Sequence, residues 1–181
     1  MKLIAAVVVL VVLLLIFGGG FLPIQGTGNT EIDGVLKEKG IQVKGDFSES
    51  TITNSSVSEI EEAKQEIAQL AGNSGSQKVN DLSEIYLLKL TITQQEKLIE
   101  AKKSEITLIP TEDYCSNLVT LDELNELNVQ RIYLMNSLSK KIDAYNSNNF
   151  GRLVFDKQAL SKEESDLQEQ ENILGELVEV C

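Results

Sequence analysis

An uncharged apolar run opens the chain. Met1-Lys2 is followed by Leu3 to Phe17 without one polar side chain, and Gly18-Gly19-Gly20-Phe21-Leu22-Pro23-Ile24 carries it to the first polar stretch. As a helix, residues 3–24 are long enough for a hydrocarbon core of about 30 Å. Nothing polar interrupts the run on any face, which argues against a buried core helix of a globular domain. Residues 1–24 therefore read as a single transmembrane helix, an uncleaved signal-anchor that holds the chain to a membrane. The alternative is a signal peptide cut before Phe21, with Gly18 and Gly20 as the small residues at −3 and −1, and a secreted product. Lys2 lies before the run, and the next basic residue is Lys37. This asymmetry places the N-terminus in the cytoplasm and residues 25–181 outside.

Roughly 155 residues follow the anchor, enough for one domain with its own core. They must fold under a net charge of −12, from 28 acidic and 16 basic residues. Such a surface repels phosphate backbones, so no nucleic-acid partner is expected. The sequence has no His and no Trp. The usual general base, the commonest metal ligand and the strongest stacking platform are therefore missing.

Residues 25–55 are polar and contain glycine, and read as a linker with short strands at most, Ile41 to Gly45 being the one brief alternation. Asn54-Ser55-Ser56 is a glycosylation sequon, although isolated matches carry little weight. Residues 56–181 change to helical period. Ser56 and Glu59 have capping-box spacing, Val57, Ile60, Ile67 and Ala71 follow on one face, and Gly72 to Gly75 ends the helix. A second helix carries Ile85, Ile92, Ile99 and Ile106 at intervals of seven, with Leu88 and Ile109 on companion positions, until Pro110. Gln95 and Lys102 interrupt this seam. Leu88 to Thr93 also alternates as a strand would, but the heptad is much longer and favours helix.

Thr120 and Glu123 form a second capping-box pattern, with Val119 and Leu124 as its hydrophobic staple. The helix they open is expected to bury Leu124, Leu127, Ile132, Met135, Leu138, Ile142 and Tyr145 and to end at Asn146–Asn149. A fourth helix, starting at Asp156 or Ser161, aligns Leu160, Leu167, Leu174 and Cys181. The expected fold is all-α: after the transmembrane helix, an antiparallel bundle or coiled-coil-like hairpin of about four helices.

Two helices of roughly 40 Å running in opposite directions return Cys181 to the level of Cys115. On a chain placed outside the reducing cytosol, the two cysteines are expected to form a disulfide. The connection Asn149–Phe155 is more apolar than a solvated loop requires. It either caps the bundle core or offers Phe150, Arg152, Leu153 and Phe155 to a protein partner.

The sequence contains no phosphate-binding glycine loop, no C-x-x-C and no zinc-protease helix. Asp46, Ser48 and Ser50 mimic the opening of a calcium loop, but Thr51 stands where Gly is required and Val57 where the closing Glu should be. No cofactor, metal or catalytic residue is expected. The leading expectation is a non-catalytic, membrane-tethered, extracytoplasmic scaffold or assembly subunit that works by contact with a protein partner or with itself. The alternative is a ligand-binding or sensory bundle with a pocket near Gln95, Lys102 or Arg131.

Overall fold

Helix-capping chemistry sets most of the element boundaries in the computed structural model, which describes residues 29–107 and 115–181. The Asn29 side chain accepts from the backbone N–H groups of Glu31 and Ile32 and opens α1 (Thr30–Glu38). A two-stranded antiparallel ribbon follows, β1 (Ile41–Gln42) with β2 (Ile52–Thr53). The Ser56–Glu59 capping box forms in full and starts α2 (Val57–Ser74). Gly75, at φ 60°, ends it in the left-handed conformation that glycine adopts without a Cβ penalty. Next come α3 (Gln77–Thr107), α4 (Leu118–Asn149) and α5 (Lys157–Val180). The Asp156 carboxylate caps α5 by accepting from the N–H groups of Gln158 and Ala159, so the earlier of its two expected starts is the one used.

The chain is mostly helical, and α1 packs on α2, α2 on α3, α3 on α4 and α4 on α5. Neighbouring long helices are antiparallel. Lys102 reaches Glu123 at one end of the α3–α4 pair, and Lys141 reaches Glu84 toward the other. Lys157 pairs with Asp143 where α5 leaves α4. At the opposite end Cys115 and Cys181 are joined by a disulfide, their Cα atoms 5.5 Å apart.

Helix α3 occupies the centre. The heptad residues Ile85, Ile92 and Ile99 are buried, and so are Leu82, Tyr86 and Leu90 on other sides of the same helix. Against them pack Ile60, Ala63 and Ile67 of α2 and Met135, Leu138, Ile142 and Tyr145 of α4. Residues 88–93 are helical throughout. Their apparent alternation comes from a helix buried on several faces, in which apolar residues no longer mark one stripe.

The expected linker and the expected start of the helix after Cys115 both change. Residues 29–55 are no free spacer: Ile32, Leu36, Ile41, Val43 and Phe47 are buried in the core, and the Phe47 ring meets Tyr86 edge-on at 5.3 Å. The Thr120 capping box does not form. The 3-10 turn Cys115–Asn117 already has helical backbone at Asn117, so α4 begins at Leu118 and Thr120 lies inside it. Val119, left 71% exposed, makes no staple. Among the described residues, no helix is long and apolar enough to cross a membrane. The expected anchor, residues 3–24, lies outside the described residues, as do Ile109 and Pro110.

Two stability outcomes follow from this packing. Ile92→Ala is expected to lower unfolding free energy by about 3 kcal/mol in a urea titration, because a fully buried side chain leaves a cavity among close neighbours. Replacing both cysteines by serine opens a loop closed across 66 residues and is expected to cost about 4 kcal/mol by loop entropy. An unchanged urea midpoint in the double variant would mean that the disulfide does not restrict the unfolded chain.

Candidate functional site

The connection between α4 and α5 divides its apolar residues between core and solvent. Leu153 and Phe155 pack against the buried cluster, whereas Phe150 is 94% exposed and Arg152 and Val154 face solvent. The loop is held at several points. Asn146 accepts from the Leu153 N–H through Oδ1 at 3.0 Å and donates to the Leu153 carbonyl through Nδ2 at 2.8 Å. The Phe47 N–H donates to the Val154 carbonyl at 2.9 Å. Asp46, whose spacing mimics a calcium ligand, instead organises this turn: its Oδ1 accepts from the Ser48 N–H and hydroxyl and from the Asp156 N–H.

Phe150 sits at φ 50°, the left-handed region that a bulky L-residue rarely adopts. Its neighbour Gly151 lies so close to the Tyr145 ring that a Cβ there would approach it to 2.5 Å. The two residues thus turn the chain sharply off α4 and leave one aromatic ring projecting from a fixed backbone.

The polar residues of the helical seam have protein partners. Gln95 Nε2 donates to the Leu127 carbonyl and to Gln130 Oε1, both at 3.1 Å. Lys102 bridges Glu105 and Glu123, and hydrogen bonds to Glu123 first and Glu105 second hold its ammonium above the ordinary value. Arg131 lies between Glu96 of α3 and Glu163 of α5. Burial works against its charge, but Glu163 and Glu96 outweigh it and raise its affinity for the proton. Gln95, Lys102 and Arg131 therefore tie helices together and do not converge on one enclosed pocket. A shallow depression of about 250 Å³ does open beside Arg131, lined also by Glu96, Ile99 and Lys103. Among the described residues, no group of three or more His, Cys, Asp or Glu is arranged to hold a metal ion.

One charged residue escaped the sequence reading. Lys89 of α3 is fully buried, and its ammonium donates to the Phe47 carbonyl at 3.0 Å and to the Glu49 carbonyl. Beside it the Thr93 hydroxyl bonds Thr51 at 2.8 Å. Lys89 thus pins the segment between β1 and β2 onto α3. Burial pushes its pKa down to about 8, with Arg131 adding to the shift and Glu96, Asp46 and Glu49 opposing it. The only sequence signal was its place among Leu88, Leu90 and Ile92, a setting in which a helical lysine ordinarily points to water.

No known family, curated protein or solved structure matches this chain.

A pH series isolates the buried ammonium. Below pH 8 both folded and unfolded chains carry the Lys89 proton, and the burial cost is present in full. Between about 8 and the ordinary 10.5 the folded chain releases it first, so stability rises with pH. Tyr86 and Tyr145 act oppositely: burial raises both, so above pH 10 the unfolded chain loses those phenolic protons first and stability falls. Thermal midpoints are therefore expected to climb from pH 8 to pH 10 and then turn down. Lys89→Met should abolish the climb and keep the downturn. A climb that survives in the variant would have to come from another group.

Proposed function

We propose that this chain is a membrane-tethered, extracytoplasmic helical scaffold or assembly subunit that acts through protein–protein contact and carries out no catalysis. The observation that carries the reading is the fixed exposure of Phe150. Ile85 and Ile92 of the heptad row are buried in the core with residues of the chain's own α2 and α4, which takes that part of the seam away from any partner, while the clamped loop after α4 holds a bare aromatic ring in a strained conformation. Phe150, flanked by Arg152 and Val154, has the chemistry of an interface anchor, an aromatic beside a guanidinium. Leu153 and Phe155, turned inward, position that anchor and do not touch the partner.

The Cys115–Cys181 bond suits an oxidising compartment outside the cytosol. The apolar run over residues 3–24 supplies the tether, and the acidic surface keeps the domain off anionic headgroups.

The test uses the full-length chain in its own membranes, with thiols blocked at lysis and a photo-crosslinking amino acid placed at Phe150. The expected result is a membrane-bound chain that retains residues 1–24, carries no free thiol, and crosslinks to one discrete neighbour or to a second copy. Free thiols would move the domain to the reducing side. A monomer without crosslinked neighbours would end the scaffold reading.

A further inference from the structure

The part of the domain farthest from Phe150 is built differently from the rest. Beyond the reach of α2, α3 still packs on α4 through Gln95, Glu96 and Lys102, α4 and α5 continue side by side to the disulfide, and the apolar row of α5 is only half covered. Leu160, beside the core, is 5% exposed, but Ile173 near the far end is 51% exposed, and Leu174 and Leu177 are half-buried. Leu121, Leu124 and Asn125 of α4 face Ile173, Leu174 and Leu177 across an open groove of about 230 Å³. Asn128 and Gln170 line both this groove and a second depression of about 180 Å³, which runs on to Glu163 and Arg131. The trough therefore extends from Leu177 to Glu163, about four turns or roughly 20 Å of helix.

Charge says what fits it. From Leu118 to Gln130 every charged residue of α4 is acidic, and so is every charged residue from Glu163 to Cys181. Arg131, at the far end of the trough, is already held by Glu96 and Glu163. Helical spacing puts the exposed Glu169 and Glu176 on the Ile173 side of α5, along the rim. A second copy of this face would set acid against acid.

We infer that the α4–α5 trough receives a helix from another protein, one with an apolar face at i, i+3, i+4 and i+7 and with lysine or arginine along its edges. Two antiparallel helices with half-covered apolar rows are completed by a third helix laid in their groove, the mode by which amphipathic helices are commonly recognised. Basic edges meet Glu169 and Glu176, steer association and discriminate against self-pairing. The inference rests on the scaffold reading and gives its partner a chemistry, at a surface separate from Phe150.

The test is photo-crosslinking of the full-length chain in the cells that make it, with p-benzoylphenylalanine placed at Gln170, and sequencing of the captured peptide by mass spectrometry. The expected capture is a segment of another protein with the amphipathic basic pattern. Its yield should fall at least tenfold in the Glu169→Lys/Glu176→Lys double variant, whose exposed substitutions leave helicity by circular dichroism unchanged. Ile173→Lys should lose it too, and more completely than Ile173→Glu. Capture of residues 1–28 of the same chain, of a second copy or of an acidic segment would overturn the inference, as would no capture or a yield indifferent to the charge reversal. A neighbour trapped from Phe150 but not from Gln170 would leave the scaffold reading standing without the trough. Silence at both positions would remove both.

Discussion

Burial of α3 on several sides at once is the constraint on which the other packing depends. A helix with one apolar stripe needs one neighbour, whereas α3 presents Leu82, Ile85, Tyr86, Leu90 and Ile92 in different directions and needs several. Helix α2 covers one side and α4 another. The third is covered by the irregular segment between β1 and β2, which forms no long element of its own. Lys89 makes that last contact specific. Its ammonium is enclosed at a cost in desolvation and satisfied by the carbonyls of Phe47 and Glu49, groups that would otherwise lack donors in a partly buried loop. An apolar residue there would leave those carbonyls unmet and the loop free to slide.

The same core divides the molecule into two ends of unlike character. Around Lys89, residues 29–55 and the α4–α5 connection close over the helices, and Leu153, Phe155 and Leu160 are drawn in. At the other end the disulfide does part of the work that packing does elsewhere, since it joins Cys115 to Cys181 where the apolar rows of α4 and α5 are half open. A covalent closure permits incomplete burial without fraying, and an apolar groove stays open beside it. The Phe150 loop and the α4–α5 trough lie at opposite ends of α4. A two-ended scaffold would have its contact surfaces in these places.

Short-range features were legible in the sequence. The Ser56–Glu59 box, the Gly75 stop and the Asp156 cap each depend on a few adjacent residues satisfying orphan backbone groups, so local spacing suffices to place them. The cysteine pairing was legible for a geometric reason: two antiparallel helices of similar length return to the same level. Thr120 misled because its pattern was sound locally while the turn at Cys115–Asn117 had already set the backbone into helix. Gln95 and Lys102 looked like vacancies in a seam, yet each is met by α4 across the interface. Half of the candidate site was readable. The apolar excess at 149–155 was visible, but which of its residues turn inward was not.

By itself, then, the sequence determined the helices after residue 56, the Ser56–Glu59 and Asp156 caps, the antiparallel return that brings the cysteines together and the acidic surface, because each is a property of nearby residues or of summed charge. Only the tertiary structure decided that residues 29–55 contribute to the core, that Lys89 is enclosed, that Phe150 is left bare on a strained turn and that an apolar groove stays open between α4 and α5. Those outcomes depend on which surfaces meet across long stretches of chain. Burial and hydrogen-bond satisfaction there are settled between elements and not within them.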